Sequence, residues 1–149
     1  MTHTPNRPAP QRRAQRRADT VLSVTTRWYD PAVTVVVIDG VIDAANTDHL
    51  IDVVLDRAML CCSMIVDLRG VKYMSVSGFE ALRLLDVRCA LADTHWTVIP
   101  STSVRRLLRR FDADGAVPTT DCLEEAFAAA ETHVPIVQVA RPGDTGQIA

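Results

Sequence analysis

The chain has 149 residues, 48% of them hydrophobic and 23% charged, a composition that suits one folded domain and excludes a disordered or fibrous protein. A net charge of -2 argues against general nucleic-acid affinity, but the charge is unevenly spread. Arg7, Arg12, Arg13, Arg16 and Arg17 all precede the first acid, Asp19, so the rest of the chain carries about -7.

Residues 1–19, rich in Arg, Pro, Thr and Gln, read as a disordered tail. The arginines are not followed by the apolar core of a secretory signal, and no run approaches the ~18 apolar residues of a membrane span. A cytoplasmic protein with no membrane partner is expected. Residues 20–135 read as the domain, and residues 136–149, ending "ARPGDTGQIA", as a flexible tail.

Within the domain, "VLSVTTRW" alternates Leu22, Val24, Thr26 and Trp28 on one side, the pattern of a half-buried strand. "YDPA" turns the chain into "VTVVVIDGVID", a β-branched run typical of a central strand, expected to end near Gly40. "AANTDHLIDVVLDRAMLCC" then changes to helical spacing. Leu50, Val53, Val54, Arg57, Ala58 and Cys61 lie on or beside one face, and Asp48, Asp52 and Asp56 share another. Asn46 or Thr47 is placed to cap it.

"SMIVDL" is a short buried strand. The helix "SGFEALRLLDVRCALADT" follows, burying Phe79, Leu82, Leu85 and Cys89, and then the strand "HWTVIP". "STSVRRLLRRF" starts from a serine cap with Val104, Leu107, Leu108 and Phe111 as its apolar stripe. In the last helix, "DCLEEAFAAAET", Asp121 and Glu124 have capping-box spacing. The order β-β-α-β-α-β-α-α predicts an α/β domain with a mostly parallel sheet, crossover helices and an antiparallel edge strand.

Residues that carry catalysis are sparse. His3, His49, His95 and His133 are scattered, with no metal-pair spacing, and no glycine-rich phosphate loop or G-x-S-x-G occurs. Cys61, Cys62, Cys89 and Cys122 fit no zinc pattern and read as small apolar residues in a reducing compartment. No metal, cofactor or catalytic residue is expected, and the chain reads as a non-enzyme.

Asp39, Asp43 and Asp67 at strand ends invite comparison with a response-regulator receiver. The only lysine, Lys72, follows the third strand, and no adjacent acid pair opens the first, so that comparison fails. Arg105, Arg106, Arg109 and Arg110 form one side of the third helix and read as a solvated face. Trp28 and Trp96 read as strand packing.

"YMSVSGFEAL" remains. Ser77-Gly78-Phe79-Glu80 has the S-x-x-E form, in which the Ser77 hydroxyl accepts from the Glu80 N–H while Glu80 reaches back. Capping accounts for the serine by itself. The longer pattern adds Gly40-Val41-Ile42-Asp43 at the end of the second strand. It continues with Ile65-Val66-Asp67-Leu68-Arg69-Gly70-Val71, then Ser75-Val76-Ser77-Gly78-Phe79, and a looser match from Val104 to Gly115.

In that order, over residues 20–133, these resemble the anti-sigma-factor antagonist family, also called the STAS domain. The resemblance implies a STAS-like fold with helices mainly on one face of the sheet. It also implies a serine-kinase-type anti-sigma factor as partner, release of a sigma factor on binding, and phosphorylation of the second serine of the family's D-S-S-G. That position is Ser77, and Asp43, Met74, Ser75, Val76, Ser77, Gly78 and Phe79 are the expected partner-binding residues. The oligomeric expectation is a monomer or weak dimer. The chain departs from the family in having Ser75 for the aspartate and Val76 for the first serine. A STAS module that senses a nucleotide or lipid, or acts as a scaffold without phosphorylation, is the alternative.

Overall fold

The computed structural model describes residues 22–30 and 32–132. Both expected tails, with His3 and His133, lie outside the described residues. The elements are β1 (Ser23–Asp30), β2 (Val33–Ile42), α1 (Thr47–Ala58), β3 (Ser63–Met74), α2 (Val76–Leu91), β4 (His95–Pro100), α3 (Thr102–Phe111) and α4 (Leu123–Thr132).

The strands form one sheet in the order β1-β2-β3-β4. β1 runs antiparallel to β2, with Ser23 opposite Asp39, while β2, β3 and β4 are parallel neighbours. This is the mostly parallel sheet with an antiparallel edge strand that the element order predicted, and it agrees with the fold that the resemblance implied. Side-chain alternation divides β2 between two cores. Val36, Ile38 and Ile42 join α1, α2 and α3 through Leu50, Val54, Phe79, Leu82, Leu85, Val104 and Leu108. Val33 and Val35 face the other way and meet Ala126 and Ala130 of α4.

Two helix faces follow their spacing. In α1 the buried residues are Thr47, Leu50, Val54 and Ala58. Val53, Arg57 and Cys61 are half-buried, and Asp48, Asp52 and Asp56 are exposed. Arg57 turns toward the edge strand and donates from Nε to the Thr26 hydroxyl at 3.1 Å. In α3 only Val104 and Leu108 are fully buried; Leu107 is half-buried and Phe111 exposed. The expected serine cap of α3 is Ser101, whose oxygen accepts from the Val104 N–H at 3.2 Å.

Other local expectations change. Asn46 occupies the cap position of α1 without capping it, because its side chain is used on the β2 turn. At α4 the partner of the Asp121 N–H is Glu125, at 3.3 Å, rather than Glu124. The Asp121 carboxylate instead accepts from Arg105 at 3.1 Å. Cys61 and Cys62 follow α1 and are half-buried, as is Cys122, so only Cys89 is a fully buried apolar-type cysteine. Burial first, then the nearby Asp86 charge, pushes the Cys89 thiol up to about 12. Trp96 is buried packing, as read, and its indole N–H donates to Asp86 at 2.8 Å.

The largest difference is the length of β3. Its pairing with β4 stops at Leu68 opposite Pro100, but its pairing with β2 continues to Ile42 opposite Met74. β2 likewise runs past Gly40, which takes φ of 110°, where the β2–β3 register slips. Nearby, the Asp39 carboxylate occupies the space that a side chain on Gly70 would need. The extension "RGVKYM" leaves Arg69, Lys72 and Tyr73 exposed and buries Val71 and Met74. Lys72 therefore lies within the third strand, not after it.

Candidate partner-binding site

The long β3 sets where α2 begins. The Ser75 N–H donates to the Ile42 carbonyl at 2.9 Å, which ties the strand exit to the end of β2. Ser75 has extended backbone, and its oxygen accepts from the Gly78 N–H at 3.3 Å, so Ser75 is the cap of α2. The expected Ser77–Glu80 capping box is not formed; Ser77 lies inside the first turn. The cause is the additional strand residues, which deliver the chain to its turn two positions earlier.

This correction has a measurable consequence. Ser75→Ala is expected to cost about 1 kcal/mol in urea unfolding, whereas Ser77→Ala changes stability little. Ser75→Asp should be at least as stable as wild type, since aspartate caps well and its charge suits the helix N-terminus. A larger loss for Ser77→Ala than for Ser75→Ala would return the cap to Ser77.

Of the seven residues expected to bind a partner, Met74, Gly78 and Phe79 are buried and support the loop from below. Val76 is 47% exposed, and Ser75 and Ser77 are half-buried. Asp43 is half-buried beside this end of the sheet but is bound into its own turn. Its carboxylate accepts from the Ala45 N–H at 2.9 Å, and its N–H donates to the Asn46 side chain at 3.0 Å. Tyr73, exposed next to Ser75, joins Val76 in an apolar margin around the serines. It escaped the sequence reading because its exposure depends on β3 continuing past Leu68. The Ser103 hydroxyl donates to the Lys72 carbonyl at 2.8 Å and brings the start of α3 to the same end of the sheet.

The electrostatics of the loop are open to an anion. The first turn of α2 holds no acidic residue, and its free N–H groups form the positive end of the helix dipole. Gly78 is required by space: a Cβ there would lie 2.5 Å from Met74 Cγ and 2.9 Å from Ile42 Cγ2.

The three strand-end acids do not converge. Among the described residues, no group of three or more His, Cys, Asp or Glu is placed to hold a metal ion. Asp67 is buried and accepts from Arg69 Nε at 2.9 Å and Nη2 at 2.7 Å. Burial pushes its carboxyl up, but the hydrogen bonds and charge of Arg69 outweigh that effect, so it titrates below its ordinary value. The stabilisation is complete above the unfolded-state carboxylate range and is lost as pH falls through the lower folded value. Arg69→Leu should therefore lower the urea midpoint at pH 7, with the gap to wild type closing toward pH 3. Arg69 is half-exposed, which keeps the pair's contribution modest. A gap that widened in acid would contradict this assignment.

A family model for the STAS domain matches residues 27–126. Among curated proteins, the chain is 34% identical over 71 residues to osmosensory protein A of Mycobacterium tuberculosis. That match covers 48% of this chain and 45% of the relative, so the chain spans less than half the relative's length.

Among solved structures, an anti-sigma factor antagonist from Mycobacterium paratuberculosis aligns with a TM-score of 0.65 at 21% identity, covering 75% of this chain and 96% of that one. The murine anion transporter Slc26a9, in its inward-facing state, aligns at 0.66 and 13% identity, covering 82% of this chain and 24% of that one. Both are likenesses of fold. Among the described residues, no helix is long and apolar enough to cross a membrane.

Proposed function

The chain belongs to the STAS-domain family, and from that premise we propose that it is an anti-sigma factor antagonist switched by phosphorylation at Ser77. In this reading residues 20–135 form the module, acting in the cytoplasm. Its unphosphorylated loop binds an anti-sigma factor of the serine-kinase type, and a sigma factor is released. The chain is the kinase's substrate and catalyses nothing itself.

The observation that carries the reading is the position of Ser77. It stands half-exposed in the first turn of α2, beside exposed Val76, at a helix N-terminus with no acid of its own. The departures from the family pattern are compatible with it. Ser75 performs the capping that an aspartate would perform at the same position, so the missing acid leaves the loop's local structure intact.

The test is phosphate transfer. With a cognate anti-sigma kinase and ATP, mass spectrometry should find one phosphate on the wild type and none on Ser77→Ala. Full incorporation into Ser77→Ala would move the site elsewhere, with Ser75 the first position to check.

A second reading keeps the binding surface without the switch. It is favoured by Val76, which places an apolar side chain where the family has a serine. In that case a nucleotide or lipid should raise the melting temperature with no protein partner present.

A further inference from the structure

α2 has an outer face that nothing among the described residues covers. Leu84, Val87 and Leu91 are 39%, 56% and 79% exposed, and their spacing of three and four places them in one line. The inner face already fills the core with Phe79, Leu82, Leu85 and Cys89. At the same end of the sheet, Met59 and Leu60 after α1 are also exposed. Scattered surface leucines are ordinary, but an aligned apolar crest marks a contact surface.

The flanks of this crest carry opposite charge. On the α3 side, Arg83 lies over the Phe79 ring at 6.0 Å and Arg110 over the Phe111 ring at 5.6 Å. The two rings are themselves in contact. On the α1 side stand exposed Asp48, Asp52 and Asp56. Arg88 leans to this side, where the three aspartates outnumber it. Both helices lead back to the start of a parallel strand, so they run in the same direction. Counting back from their last residues puts Arg83 level with the stretch between Asp48 and Asp52.

We infer that the crest is covered by a second copy of this chain, with the two α2 helices parallel about a twofold axis along the contact. That rotation sets the α3 flank of each copy against the α1 flank of the other. Arg83 and Arg110 then meet the second copy's Asp48 and Asp52, and the contact occurs twice. The antiparallel arrangement would oppose arginines to arginines and aspartates to aspartates.

Glu80 would face its own counterpart, so the helices diverge toward their N-termini and leave Val76 and Ser77 accessible. A stable pair needs about 800 Å² per partner, more than one helix crest with two neighbouring residues offers. The dimer is therefore concentration-dependent. None of this rests on phosphorylation of Ser77.

Sedimentation velocity of the full chain over rising concentration should show a monomer–dimer equilibrium. Leu91→Glu should weaken it about tenfold or more, with an unchanged circular dichroism spectrum because the side chain is exposed. One variant combining Arg83→Asp with Arg110→Asp, and another combining Asp48→Lys with Asp52→Lys, should each fail to dimerise. Their equimolar mixture should form a one-to-one dimer, because the reversed flanks complement each other. A wild type that stays monomeric, a dimer insensitive to Leu91→Glu, or a mixture that stays apart would overturn the inference. A monomer that needs Leu91 to hold an anti-sigma factor would overturn it too, and would assign the crest to that partner.

Discussion

Ser77→Asp is expected to remain folded with nearly wild-type stability while losing about 100-fold in affinity for the anti-sigma factor proposed as its partner. Two effects of one charge separate here. Within the chain, the new carboxylate sits in the first helical turn, where free N–H groups and the helix dipole favour an anion. No acid already occupies that turn, so the internal cost is small.

At the interface the balance reverses. A partner packed on Tyr73, Val76 and the serines would have to bury the charge without a matching cation, at a cost of several kcal/mol. A true phosphate, with about -1.5 to -2 charges, should act more strongly than aspartate. Calorimetric titration checks the affinity and thermal unfolding checks the fold. Loss of binding together with unfolding would mean that the helix start fails to accommodate the charge. Unchanged binding would remove Ser77 from the interface.

The second large effect is expected at Gly78. Gly78→Ala should destabilise by about 1–3 kcal/mol, and Gly78→Val by more, through overpacking. The obstruction is specific. The added Cβ meets Met74 Cγ at 2.5 Å and Ile42 Cγ2 at 2.9 Å. Met74 is unbranched and can yield, but Ile42, the last residue of β2, is fully buried in the core. The first turn of α2 must therefore shift outward, carrying Ser77 with it.

Met74→Ala should remove part of the clash, so the double variant Gly78→Ala with Met74→Ala should be less destabilised than the two single losses added together. Strict additivity in urea unfolding would show that the glycine is needed for some other reason. The partner affinity of Gly78→Ala, measured well below its melting temperature, should fall as well, because the loop is displaced.

Much of this molecule is legible in local pattern. β-branched runs and apolar spacing identified the four strands and four helices of the described residues in order, since period 2 and period 3.6 arise from backbone geometry alone. The serine-rich start of α2 was legible for the same reason, because capping is a contact between residues three apart. Ser101 at the start of α3 shows that logic succeeding unaided.

Other features depended on partners distant in sequence. "RGVKYM" has no strand signature of its own and becomes strand because β2 is long enough to pair with it as far as Ile42. That extension decided that Ser75 rather than Ser77 caps α2, and it brought Tyr73 to the surface beside them. The buried side of α2, by contrast, was legible in its spacing, since Phe79, Leu82, Leu85 and Cys89 were expected inside and are buried, while the exposure of Leu84, Val87 and Leu91 was not foreseen. The sequence by itself determined the kinds of element, their order and the serine-bearing turn, because those follow from contacts within a few residues. The cap's identity and the exposed crest of α2 were decided only by tertiary structure, since they depend on how far β2 and β3 pair and on which flanks α1 and α3 cover.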